Sequence, residues 1–301
     1  MQYYYFICGL PVITIDDAKL PFSLEDFRLD AKKHLSTKDY RLLELIHLPD
    51  ELEILLKLMY KQSLPPELIS IYPEGWWEDF LDLHRHKLGN PQLKLPKSYS
   101  KVPDFVSREL SRLLALEDLP DYNSADHDLL NACFTWLKDA PNKLLKNWFE
   151  HEVLIRNILM AINGRAHSYE YAHYLIGEGE IVDKLAKSNS ADLGLSKQSE
   201  LFDELYRAYE QNNILYREKA YDVIRWKWVD NNTFFEYFSI DKILGYYCKL
   251  KLLARWASFD TNAGKESFHD ALDKMESSFV IPPEFTVRSK AGQAKAPANP
   301  N

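Results

Sequence analysis

Between residues 38 and 61 the apolar side chains Leu42, Leu45, Ile46, Leu52, Leu55, Leu56 and Met59 recur every three or four positions, interrupted at Pro49. Such spacing buries its apolar residues only as one face of a helix, because side chains three and four apart share a helix face. Pro49 followed by Asp50 and Glu51 suits the first turn of a second helix, where a missing N–H costs nothing and acids meet the positive end of the dipole. The same pattern covers most of the chain, so the predicted fold class is all-α. The exception is residues 2–8, rich in β-formers, which read as a short N-terminal strand or an extended docking segment.

Punctuation divides the rest. Ser23 with Asp26 resembles a capping box opening a helix that Phe27 helps to pack. A helix over 76–87 ends at Gly89-Asn90-Pro91, and others cover 104–117, 124–138 and 142–163, the last stopped by Asn163-Gly164. Beyond them come helices over 198–217 and 218–229, with a break at Asn231-Asn232. Thr233 with Glu236 forms a second capping box, starting a stretch that runs towards Phe259. A last amphipathic helix covers 265–279 and stops at Pro282-Pro283. The proline-bearing segment 91–103 and the polar segment 188–199 mark boundaries. The expected organisation is three helical units, 1–97, 98–190 and 191–283, followed by a disordered tail, 284–301.

A weak repeat fits three units. Trp76-Trp77-Glu78, Trp148-Phe149-Glu150 and Phe234-Phe235-Glu236 each place two aromatics before a glutamate, with a basic residue following at Arg85, Arg156 and Lys242. Aromatic-rich helices sometimes begin alike by chance, which is the bland alternative.

A net charge of −8 over 301 residues, with the cations scattered among acids, argues against nucleic acid or anionic lipid as the main partner. Cys8, Cys133 and Cys248 are widely spaced and odd in number, which reads as buried free thiols in a reducing compartment. The opening segment lacks a basic n-region, and no stretch reaches the length of a membrane span. The expectation is an intracellular, cytoplasmic protein whose membrane contact comes through partners.

Catalytic motifs fail one by one. His151-Glu152 lacks the second His at position 155, which is Ile155, so no zinc-protease pair shares that face. Glu152 and Arg156, one turn apart, read as a surface ion pair. His84 and His86 flank Arg85 on what reads as a solvated face. Gly264-Lys265 has Phe259 where a phosphate loop needs glycine, and Gly177-Glu178-Gly179 reads as a turn rather than a dinucleotide site. Asp16-Asp17 and Glu117-Asp118 suit loops or helix ends. No catalytic, cofactor or metal site is expected, and a binding role is favoured over an enzyme.

Two segments say more. Glu152 to Gly164 (EVLIRNILMAING), continuing through YLIGEG at 174–179 and IVDKL at 181–185, resembles the C subunit of V-type and A-type rotary ATPases, called subunit d in vacuolar enzymes. Residues 238–255 (FSIDKILGYYCKLKLLAR) are similar to that family's last long helix. The opening residues and the Gly9-Leu10-Pro11 turn resemble a bacterial family of uncharacterised proteins encoded beside V-type ATPase subunits. The likeness covers the C-terminal two-thirds. It departs at Gly177, where the family's turn has Pro, and at Leu252 and Ala254, where its helix is polar.

The resemblance implies a funnel of three similar helical units about a pseudo-threefold axis. Such a subunit catalyses nothing. It sits on the cytoplasmic face of the membrane rotor ring, holds the foot of the central shaft, and couples ion transport to ATP hydrolysis or synthesis. The residues alone leave two alternatives open: an unrelated helical adaptor or scaffold, and an enzyme with an unfamiliar helical site.

Overall fold

Among the described residues every regular element is helical, as the 3.6-residue spacing requires. The computed structural model describes residues 3–257, except 18, 66, 67, 91, 189, 191 and 196–199. In chain order these are α1 (Tyr4–Cys8), α2 (Leu24–His34), α3 (Thr37–Leu45), α4 (Leu48–Met59), α5 (Trp76–Gly89), α6 (Asp104–Leu114), α7 (Tyr122–Leu137), α8 (Lys143–Ala166), α9 (Glu180–Lys187), α10 (Glu200–Tyr209), α11 (Ile214–Thr233) and α12 (Ile240–Ala257). Short 3-10 turns lie at Lys97–Lys101 and Ala172–Tyr174. The expected helix over 265–279, the tail 284–301 and Gly264-Lys265 lie outside the described residues, as does part of the segment 188–199.

Several boundaries follow from the caps read in the sequence. Ser23 Oγ accepts from the Asp26 amide at 3.0 Å and the Asp26 carboxylate accepts from the Ser23 amide at 3.4 Å, closing the capping box of α2 and leaving Phe27 buried. Pro49 stands in the first turn of α4 with Asp50 and Glu51. Asn142 caps α8 through the Leu145 amide at 2.9 Å and reaches Asp241 of α12 at 2.6 Å.

Elsewhere local signals lose to tertiary contacts. Residues 4–8 form a helical turn, not a strand. The Tyr3 amide donates to the Phe238 carbonyl at 2.7 Å, and Phe6 is buried against Phe27 with ring centroids 5.6 Å apart. Helix α11 is continuous through 217–218 and passes Asn231-Asn232. The break lies earlier, at residues 210–213, where Asn213 caps α11 by accepting from the Leu215 amide at 2.9 Å. Thr233 is no N-cap: it is buried at the end of α11 and its hydroxyl donates to the Val229 carbonyl at 2.8 Å. Glu236 instead accepts from Ser239 at 2.5 Å, ahead of α12.

Asn163-Gly164 does not stop α8, which runs on to Ala166. Glycine is there because a Cβ at position 164 would lie 2.2 Å from the Tyr171 ring. That ring is fixed by its hydroxyl, which donates to the Leu185 carbonyl at 2.9 Å. Gly164→Ala is therefore expected to destabilise the fold by about 1–3 kcal/mol through overpacking. A urea midpoint unchanged from the parent would mean that Tyr171 gives way freely.

The core lies in two clusters. The first joins α1 to α7 with Leu144, Leu145, Trp148 and Phe149 of α8, Val229 of α11, and α12. The second joins Ile155 to Ile162 of α8 with α9, α10, and Tyr221 and Ile224 of α11. The first cluster draws on both sides of residue 97, and the second on both sides of residue 190. Helices α8 and α11 are shared by both clusters, and between the two stretches stand Glu152 on α8 and Arg225 on α11.

The three aromatic-aromatic-Glu triplets occupy different settings. Trp76 opens α5, Trp148 and Phe149 are buried within α8, and Phe234 and Phe235 are exposed after α11.

Candidate functional site

At the seam between the two clusters, Arg225 Nε of α11 donates to both carboxylate oxygens of Glu152 on α8, at 3.0 and 3.1 Å. Its other end meets Asp222 at 3.2 Å. Asp222 is fully buried and also accepts from Arg255 at 3.3 Å and from Trp256 Nε1 at 2.8 Å, both on α12. Arg255 in turn pairs with Glu218. Burial pushes the Asp222 carboxyl above its ordinary range, against the pull of Arg255 and Arg225. Burial also opposes the charge on Arg225, but Glu152 and Asp222 outweigh it and raise its pKa.

The expected pair of Glu152 with Arg156 does not form. Glu152 turns to the guanidinium buried beside it, and Arg156 approaches Asp126 at 3.6 Å. A carboxylate that accepts with both oxygens from a desolvated arginine outweighs an exposed pair one turn along a helix.

Beside this seam an open groove of about 600 Å³ runs over α8, between the end of α7, the turn before α9, and α11. Phe134, Leu154, Ile176, Ile181, Val182 and Trp228 supply its apolar lining. The turn before α9 is held by side-chain amides. Asn157, buried on α8, donates to the Ile176 carbonyl at 2.8 Å and accepts from the Ile176 amide at 2.9 Å, and Asn131 accepts from the Gly177 amide at 2.9 Å. Gly177 (φ 83°) and Gly179 (φ 120°) supply the left-handed backbone, so the predicted turn at 177–179 is present. His151 stacks on Trp228 at 5.1 Å, and its buried Nε2 has no hydrogen-bond partner. Burial, with Arg225 adding to it, holds the His151 pKa down to about 4, so the ring is neutral near pH 7.

The remaining residues weighed for chemistry lie apart from the groove. His84 is not on a solvated face: it is buried against Phe80, with ring centroids 4.3 Å apart, while His86 is exposed. Cys133 and Cys248 are buried free thiols, but Cys8 is exposed at the end of a one-turn helix too short to cover it. Asp16 pairs with Lys219 at 2.7 Å, and Asp17 accepts from Thr14.

Sequence reasoning missed Asp222 at the seam and, away from it, two further buried groups. Glu51 accepts from Trp77 Nε1 at 2.6 Å, the Ile71 amide at 2.7 Å and Ser70 at 2.7 Å. His47 is hydrogen-bonded to Tyr247 and lies 3.6 Å from Asp50, which pairs with Lys251 at 2.6 Å. The cavity beside Glu51 measures about 20 Å³, room for one water molecule and no substrate. Among the described residues no group of three or more His, Cys, Asp or Glu is placed to hold a metal, and no helix is long and apolar enough to cross a membrane.

Neither a curated protein nor a solved structure matches this chain. One family does match, described as "Protein of unknown function (DUF2764)", over residues 1–279. With nearly its whole length inside that match, the chain belongs to the DUF2764 family.

Proposed function

We propose that this protein is a non-catalytic subunit of a V/A-type rotary ATPase, coupling the central shaft to the membrane rotor ring from the cytoplasmic face. The observation that carries the reading is where the two C-subunit-like segments lie. Residues 152–164 fall on α8 and residues 240–255 on α12, and both are tied to α11 through the Glu152–Arg225–Asp222–Arg255 network. Long helices cross-linked in this way resist torque better than elements joined by loops, and stiffness with a broad contact face is what a coupling part needs.

The aromatic-aromatic-Glu triplets, in their three different settings, add nothing to the reading. An expected arrangement in three units about a pseudo-threefold axis stays part of the proposal on the strength of the resemblance alone. An unrelated helical adaptor is the competing reading, and the open groove suits it equally well.

Affinity purification of the tagged chain from gently solubilised native membranes, with mass spectrometry, tests the choice. The coupling reading predicts recovery of the A and B head subunits, the D shaft and the ring subunit. Recovery of none of them, from cells that express the motor, leaves the adaptor.

A further inference from the structure

The groove over α8 has a length, a lining and a charge pattern, and together they describe an occupant. Its α8 wall runs from Lys146 to Asn157 through Asn147, Glu150, His151 and Leu154, residues spaced as one helix face. At 1.5 Å per residue this wall is about 16 Å long, the length of roughly three helical turns. Lys138 and Lys146 lie where α7 ends and α8 begins, Glu150 stands one turn on, and Glu178 rims the far end beside Ile181.

None of these four charges makes an ion pair among the described residues, whereas Glu180 and Asp183 close by are already paired with Lys184 and Lys187. A groove carrying unpaired cations at one end and unpaired carboxylates from its middle to the other suits neither a polyanion nor an acyl chain with an anionic head. No sheet edge exists among the described residues to accept an added strand. The remaining recognition mode that fits an apolar trough of this length is an amphipathic helix laid along it.

We propose that the groove docks one amphipathic α-helix of a protein partner, about three turns long, acidic where it meets Lys138 and Lys146 and basic from Glu150 to Glu178. Leu154, Ile181, Val182 and Trp228 receive its apolar stripe. Asn147 and Asn232 offer hydrogen bonds to polar residues at its margin. The inference rests on the reading of the chain as a binding subunit, but not on which assembly it serves.

Site-specific photo-crosslinking of the full chain in its own cells tests it, with p-benzoyl-phenylalanine replacing Thr135 at the lysine end or Ile181 at the glutamate end. Both positions are exposed. The expected result is that both probes label a single partner segment, at sites roughly three helical turns apart. The Thr135 probe should mark the acidic end and the Ile181 probe the basic end. Reversing charge with Lys138→Glu and Lys146→Glu together should lower the yield about tenfold, while thermal melting stays at the parent value.

Labelling of lipid, of residues 258–301, of a second copy, of two unrelated segments, or of nothing overturns the proposal. A docked helix from a protein outside any rotary ATPase leaves this inference standing and sinks the coupling reading. Motor subunits that copurify without a crosslink from either position do the reverse.

Discussion

Asp222→Ala is expected to lower the melting temperature by roughly 6–20 °C. Removing one member of a buried ionic network costs about 3–5 kcal/mol, because its partners keep their desolvation penalty and lose their compensation. At this chain length each kcal/mol moves the midpoint by about 2–4 °C. Arg225 would keep Glu152 but lose its second carboxylate, and Trp256 Nε1 would lose the Asp222 oxygen it donates to. Asp222→Asn, which retains an acceptor for Trp256 while removing the charge, should fall between the parent and Ala.

The seam also joins two core clusters that share only α8 and α11 as long helices. Loosening it should therefore broaden or split the calorimetric transition, as one cluster melts ahead of the other. A shift of under about 2 °C with one sharp transition would show that apolar contacts along α8 and α11 suffice to hold the halves together.

Acid should weaken the fold once the pH falls below the ordinary histidine value of 6.5. His47 has its pKa held down to about 4 from an ordinary 6.5, mainly by burial and then by Lys251, and His151 is held at about the same level. A histidine depressed in the folded state binds a proton more readily when unfolded. Stability is then full above pH 6.5 and is lost as pH falls towards 4. For His47 that window is worth on the order of 3 kcal/mol, and for His151, on an open groove, less.

Urea midpoints should therefore fall steadily between pH 7 and pH 4.5. His151→Phe, which keeps the stack on Trp228 without a titrating nitrogen, should flatten part of the slope. A midpoint that stays level over this range would mean that the two rings reach water when protonated.

How much of this was legible in the residues depends on which force set each feature. Caps and breakers act locally, so Ser23 with Asp26, Pro49, and the end of α5 at Gly89 were readable. Residues 4–8 were misread because β-propensity is weak beside the burial of Phe6 and the backbone bond from Tyr3 to Phe238. Asn231-Asn232 looks like a stop. Yet Val229 and Thr233 on the same helix are buried, and packing carries α11 past the pair.

The site was less legible than the fold, because an acid on a helix reads as surface. Asp222 stands among Tyr221, Ile224, Trp226 and Val229, all buried. Apolar residues on both sides of Asp222 were the available sign that the one acid among them would be buried too. Glu51 and His84 gave a similar sign, with leucines on either side of the first and Phe80 one turn before the second. Partners such as Arg225 for Glu152 lie 73 residues apart, and no spacing rule pairs them.

Coupling itself is tested most directly in membrane vesicles from cells with and without the gene, measuring ATP hydrolysis and ATP-driven membrane potential together. The rotary-subunit account predicts that, without the protein, hydrolysis persists while the dye-reported potential falls to a small fraction, and that restoring the full chain recovers it. Hydrolysis and potential both unchanged, in membranes shown to contain the assembled motor, would contradict it.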